Sequence, residues 1–165
     1  MIQINVSIPK VEYARKKWLD AIATTQRQKA LPELKKLFKK TVYGWSEKPD
    51  FGWSQTKSAG EISLRVYPTG PASDVWNLVN EGSPPHRIPK SGTTYMRFRT
   101  GYRAATKPGT LQSGRKYRSG PYTVAYKITE HPGFLARKFT ELIAEEYANN
   151  FAMEMQGAIS ETASR

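Results

Sequence analysis

The sequence predicts an α+β fold: a small antiparallel sheet packed against long N-terminal and C-terminal helices, with a long basic loop set into the sheet region. Three observations lead there. Apolar residues recur at spacings of three and four near both ends of the chain, they alternate strictly in two stretches between, and the segment from Thr100 to Pro121 follows neither rhythm. With 165 residues and no cysteine, one domain with its own core is expected, since a chain of about 150 residues hides roughly 70% of its unfolded surface without cross-links.

The first element is a helix. Val11, Ala14, Trp18, Ala21, Ile22 and Thr25 share one face at that spacing, and Pro9 suits a first turn, where its missing N–H costs nothing. The helix is expected to run from about residue 9 to Ala30. Pro32 then kinks it or opens a second helix, with Leu34, Leu37 and Phe38 inward, Lys35, Lys36, Lys39 and Lys40 outward, and Gly44 as the stop, so the helical region spans 9–43.

After the bridge at Lys48-Pro49 the period changes to two. Glu61 to Tyr67 places Ile62, Leu64 and Val66 on one side, as a half-buried strand requires, and Tyr122 to Ile128 alternates in the same way. Tyr95 to Arg99 is a shorter strand candidate, and Phe51 to Lys57 is a weaker one that would pair with the Ile62 strand as a hairpin. Together these predict one sheet over 50–129, interrupted by a basic loop at 100–121. Its apolar face needs a cover.

The last element supplies that cover. Beyond the Pro132-Gly133 turn, Leu135, Phe139, Leu142, Ile143, Tyr147, Phe151 and Met155 form a helical stripe, with Glu141, Glu145, Glu146 and Glu154 mostly opposite, so a helix is expected over 134–160. The stripe reads as core, because no polar group in it is placed to orient a ligand.

The loop is the exception. Thr100 to Pro121 holds Gly101, Gly109, Gly114, Gly120, Pro108 and five basic residues, and a structureless loop of some twenty residues in a compact domain is usually functional or disordered.

Charge points to the same stretch. The chain carries 26 Lys and Arg against 14 Asp and Glu, a net charge of +12, yet no acidic residue occurs from Gly82 to Thr129. Arg87, Lys90, Arg97, Arg99, Arg103, Lys107, Arg115, Lys116, Arg118 and Lys127 all lie there, and nearly the whole excess with them. Such a one-signed field implies a polyanion or an acidic protein surface as partner. Solvated loop charges are the bland alternative.

Other chemistry is poorly provided for. The absence of cysteine removes a disulfide framework, a thiolate zinc site and a cysteine nucleophile, and makes a cytoplasmic birthplace the default. Met1 to Val6 lacks the basic start and apolar run of a signal peptide, and no stretch approaches the ~18 apolar residues of a membrane span, so neither is expected. The two histidines, His86 and His131, each sit near proline with too few companions for zinc, and no nucleophile is placed beside them. Adjacent Glu145 and Glu146 point apart on a helix, and no phosphate-cradling glycine loop occurs. No enzyme, no cofactor and no metal are expected.

One resemblance bears on function. The segment Val75-Trp76-Asn77-Leu78-Val79-Asn80-Glu81-Gly82-Ser83-Pro84-Pro85-His86-Arg87-Ile88-Pro89-Lys90 resembles the tailed-bacteriophage neck and minor tail family, the tail-completion proteins similar to lambda minor tail protein Z. In that family an apolar-x-x-Glu-x-Gly-Thr/Ser element is followed by His-x-Ile-x-Pro, which looks like Glu81, Gly82, His86, Ile88 and Pro89 here. A second family element, a His-Pro-Gly turn before a long final helix, looks like His131, Pro132 and Gly133 followed by Phe139. Ser83 stands where Thr is common, and no Pro precedes Phe139.

The resemblance implies a structural virion protein that joins the head connector to the tail. It implies a ring of identical subunits, hexameric in form, between connector or stopper and the tail terminator or tube proteins, assembled in the host cytoplasm, with DNA passing through its opening. A ring subunit needs heterologous contacts, and the basic region from Gly82 is a suitable arm, meeting acidic neighbours or non-specifically lining a duplex channel. Physically, Gly82 allows a positive φ while Pro84, Pro85 and Pro89 stiffen the following connection. The alternative, of another class, is a free nucleic-acid-binding protein using residues 82–129, with Tyr95, Tyr102, Tyr117 and Tyr122 interleaved for stacking. A tail-associated hydrolase is a third reading without a catalytic constellation.

Overall fold

Ile62, Leu64 and Val66 alternate with polar residues along Glu61–Thr69, and this strand, β3, forms the centre of a three-stranded sheet. The computed structural model describes residues 1–7, 15–58, 60–87, 96–99, 106–111, 121–125 and 130–164. On one side β3 pairs antiparallel with β2 (Asp50–Ser58), as the hairpin expected from Phe51 to Lys57. On the other side stands β1 (Ile2–Ser7), whose Ile2, Ile4 and Val6 oppose Val66, Leu64 and Ile62. Both pairings put the apolar residues on one face, and Ile62, Leu64 and Val66 are fully buried there. The opposite face is polar, with the Ser63 hydroxyl donating to Asn5 Oδ1 at 2.7 Å.

Helices cover the apolar face, so the α+β class holds. Helix α1 (Arg15–Thr25) continues through a π-helical turn at Gln26–Ala30 into α2 (Leu31–Thr41). The π turn has a local cause. Pro32 stands at the second position of α2, has no N–H to give, and crowds the carbonyl four residues back; widening the preceding turn relieves this, and the Leu31 N–H bonds to Gln26 O instead. The chain thus neither breaks nor starts afresh at Pro32. The expected helix start at residue 9, with Pro9, Val11 and Ala14, lies outside the described residues.

The inward face of α1 differs from the expected one. Leu19, Ile22 and Ala23 are buried with Ile62 and Met155, while Trp18, Ala21 and Thr25 are half-buried. Gln26 is also fully buried; its Oε1 accepts from Gln55 Nε2 at 2.8 Å, and the same nitrogen donates to Ala23 O at 3.1 Å, tying helix to sheet. In α2, Leu34, Leu37 and Phe38 face inward as expected, but the helix stops at Thr41 rather than Gly44. Thr41 ends it with a purpose: its hydroxyl donates to Phe38 O at 2.7 Å and accepts the Trp76 indole N–H at 2.9 Å.

A short helix that the periodicity did not show, α3 (Ser73–Glu81), carries Trp76 into the core. Its ring lies 5.5 Å from Phe38, 6.1 Å from Phe51 and 5.7 Å from Phe139. Burying each such side chain contributes about 1.5–3 kcal/mol, and aromatic pairing adds to it. The final helix, α4 (Phe139–Ala163), starts five residues later than expected. Phe139, Ile143, Tyr147 and Met155 line its buried stripe, whereas Leu135 is 75% exposed outside the helix. The Tyr147 hydroxyl donates to Glu154 Oε2 at 2.5 Å, and burial, then that carboxylate, raise its phenol above the ordinary value. Glu145 and Glu146 are exposed, and Glu146 pairs with Lys40 at 3.0 Å.

The single sheet expected over 50–129 is not what forms. β5 (Met96–Arg99) and β6 (Tyr122–Ala125) pair with each other as a separate two-stranded ribbon, and β4 (His86–Arg87) with β7 (Glu130–His131) as another. Period-2 patterning shows that a strand exists but not which partner it takes, and β1 fills the place beside β3.

Candidate functional site

The two short motifs singled out in the sequence, one after Asn80 and one around His131, are zipped together in space. Helix α3 ends at Gly82, with φ 81°, its N–H bonded to Leu78 O at 2.8 Å. The chain then runs beside the segment preceding α4. Ser83 and Phe134 exchange both backbone hydrogen bonds, at 3.0 and 2.9 Å. The last carbonyls of α3, which have no partner inside the helix, accept from the same segment: Val79 O from the Arg137 N–H at 3.1 Å and Asn80 O from the Lys138 N–H at 3.0 Å.

Asn80 completes the joint. Lys138, in the left-handed region at φ 55°, gives α4 no side-chain cap, and the Thr140 N–H bonds instead to Asn80 Oδ1 at 3.1 Å. A residue of one helix therefore caps another. Phe139 follows directly and is buried against Trp76.

Two glycines permit the approach. A Cβ on Gly82 would stand 2.6 Å from Ala136 N, and one on Gly133, whose φ is 75°, would stand 2.2 Å from Ser83 O. Both the positive φ and the contact exclude a side chain.

Beyond this joint, β4 and β7 place His86 opposite His131 and Arg87 opposite Glu130. The Arg87 Nε lies 3.5 Å from Glu130 Oε1, with both side chains about three-quarters exposed, so the pair contributes little energy. His86 Nδ1 is 3.0 Å from Pro84 O, which can only accept, so the ring carries its proton on Nδ1 when that bond is made. These contacts make a clamp whose two strands are the root of the whole basic segment.

No family model, curated protein or solved structure matches the chain.

The positions expected from the sequence divide sharply. Gly82, His86, His131, Pro132, Gly133 and Phe139 gather in the clamp, and Glu81, exposed, ends α3 beside it. Ile88 and Pro89 lie outside the described residues, as do Lys90, Arg103, Arg115, Lys116 and Arg118. Arg97 and Arg99 stand in β5 opposite Val124 and Tyr122, Lys107 is exposed, and Arg87 is held by Glu130. The expectation of a wholly structureless loop at 100–121 needs correction. Thr106 is buried and takes a 3.4 Å hydrogen bond from Arg137 Nε, and Leu111 packs on the main core, so residues 106–111 lie against the body.

Asn80 was not legible in the sequence, because a cap supplied from sixty residues away leaves no signal beside the helix that it caps. Among the described residues no three His, Asp or Glu side chains gather to hold a metal, and no helix is long and apolar enough to cross a membrane.

Proposed function

We propose that this chain is a non-catalytic structural protein of a tailed-phage virion, a tail-completion or neck ring subunit that joins the head connector to the tail and lets DNA pass. The observation that carries this reading is the clamp: the two elements of the resemblance, far apart in sequence, meet through Ser83 and Phe134 and hold the root of the basic segment. Turn and packing motifs of this kind do positioning rather than chemistry. A rigid root under a one-signed segment is what a ring subunit needs to present an arm to connector, terminator or channel DNA.

The test is negative-stain microscopy of lysates from a phage lacking the gene. Filled heads beside detached tails are expected, and mixing those parts with normal heads or tails assigns the side that the protein completes. Intact particles would overturn the neck assignment.

A free nucleic-acid-binding protein is the second reading, favoured by ten basic and no acidic residues over 82–129 and by the exposed Tyr122 ring. If all ten neutralised phosphates, log affinity would fall with log salt at a slope near about −9. Binding of free duplex tighter than roughly micromolar at physiological salt would favour it over the ring subunit.

A further inference from the structure

Apolar and charged side chains are kept strictly apart along α1, the π turn and α2. Over 15–41 the chain has nine basic and two acidic residues. Ile22, Gln26, Ala30, Leu34 and Phe38 are fully buried or nearly so and follow one another at intervals of four, facing the sheet and α4. In a regular α-helix such a repeat drifts by about 40° a step, and the wide turn between Gln26 and Ala30 takes up part of that drift. One side of the rod therefore stays outward over about 40 Å, at about 1.5 Å per residue.

The cations of this ridge are uncommitted. Lys17, Arg27, Lys29 and Lys39 are exposed, Lys35 is half-buried, and none of the five forms an ion pair with another described side chain. Both carboxylates of the rod are matched, Asp20 by Lys57 and Glu33 by Lys36, and on the α4 side Glu146 is taken by Lys40. Exposed carboxylates without an ion pair, at Glu47, Asp50, Asp74 and Glu145, belong to segments that meet the Thr41 end of the rod, where Lys48 offsets one of them. From Lys17 to Lys35 the positive excess is undiluted.

The chemistry of the ridge selects its partner. No large apolar side chain between 15 and 41 stands in the open. A protein partner needs an apolar centre to its interface, whereas protein–DNA interfaces are more polar and much more positively charged. A single strand is gripped by stacking its bases on aromatic rings, and the ridge offers no exposed ring. We propose that the outward ridge of α1, the π turn and α2 is a contact surface for the phosphates of duplex DNA. Lysine and arginine heads on a rigid rod hold a backbone without reading bases, as a sliding duplex requires. That the duplex is DNA rests on the reading above, and the ridge adds to it a surface outside the 82–129 segment.

The test is fluorescence anisotropy of the full chain with a labelled duplex of about 20 base pairs at about 50 mM salt, where phosphate contacts are strong. Lys17→Glu with Arg27→Glu is expected to weaken binding roughly tenfold or more. Arg65→Glu with Lys107→Glu makes an equal change of net charge on exposed residues off the ridge, and is expected to weaken it less than about threefold. Lys17→Ala with Arg27→Ala, the milder pair should the first fail to fold by circular dichroism, is expected to flatten the slope of log affinity against log salt by about 0.9 for each lost phosphate contact. Equal losses from the two glutamate pairs, an unchanged salt slope or no binding by the unaltered chain overturn the proposal. So does a ridge pair that abolishes self-association in sedimentation while DNA binding is intact, which would make the ridge a protein seat. If heads and tails stay apart without the gene while the ridge pair binds DNA normally, the ridge falls and the virion role stands; intact particles with ridge-dependent binding give the reverse.

Discussion

The helix–sheet body around Trp76 and the clamp around Gly82 and Gly133 share α3 yet are held by different forces. In the body, Phe38, Phe51, Trp76 and Phe139 pack ring to ring over Leu64 and Val66, and hydrophobic burial dominates. In the clamp, half-buried Ser83, Phe134 and Arg137 and exposed Lys138 are joined by backbone hydrogen bonds, with two glycines allowing chains to touch. The body tolerates any sequence of the right pattern and volume; the clamp depends on particular residues at particular positions. The part that presents the basic segment is therefore the part with little energy to spare.

The largest effect is expected from Trp76→Ala. It empties the centre of the aromatic cluster and leaves the Thr41 hydroxyl without its donor, at about 3–5 kcal/mol by denaturant titration. Gly133→Ala should cost less, about 2 kcal/mol, since it forces a positive φ on a residue whose Cβ meets Ser83 O. Its signature is local: amide exchange should rise at Ser83 and Phe134 while the buried strand β3 stays protected. A uniform rise across β3 would erase the distinction between the two regions.

Asn80→Ala should cost about 1 kcal/mol through loss of the cap on α4, and Asn80→Asp, which keeps the acceptor at a helix N-terminus, should cost less. If both variants melt alike, Asn80 acts through packing and belongs to the body. The smallest effect is expected from Arg87→Ala, under about 0.5 kcal/mol in thermal melts, because its pair with Glu130 is open to water. A larger loss would mean that side chains, not backbone, hold the clamp.

Legibility in the sequence follows the same division. The helix bearing Leu34, Leu37 and Phe38, the hairpin of Phe51 and Ile62, and the stripe from Phe139 to Met155 were readable, because burial on one face imposes a period on the residues. β1 carries the same alternation at Ile2, Ile4 and Val6, but six residues at the start of the chain name no partner strand. α3 was not, since nine residues with two buried positions make too short a record of a 3.6-residue period. The clamp residues stood out as motifs, yet nothing in Gly82 or His131 states that one lies beside the other's strand.

By itself, the amino-acid order determined that α2, the β2–β3 hairpin and α4 form, which of their faces turns inward, and where the charge is concentrated. Those are properties of neighbouring residues, set by propensity, periodicity and burial. Which strands pair, that Asn80 caps a helix sixty residues away, and that Val75 and Leu78 remain uncovered were decided only by the tertiary structure. Each depends on which surfaces meet when the core closes, and a backbone hydrogen bond or an exposed face carries no mark of its partner in the local sequence.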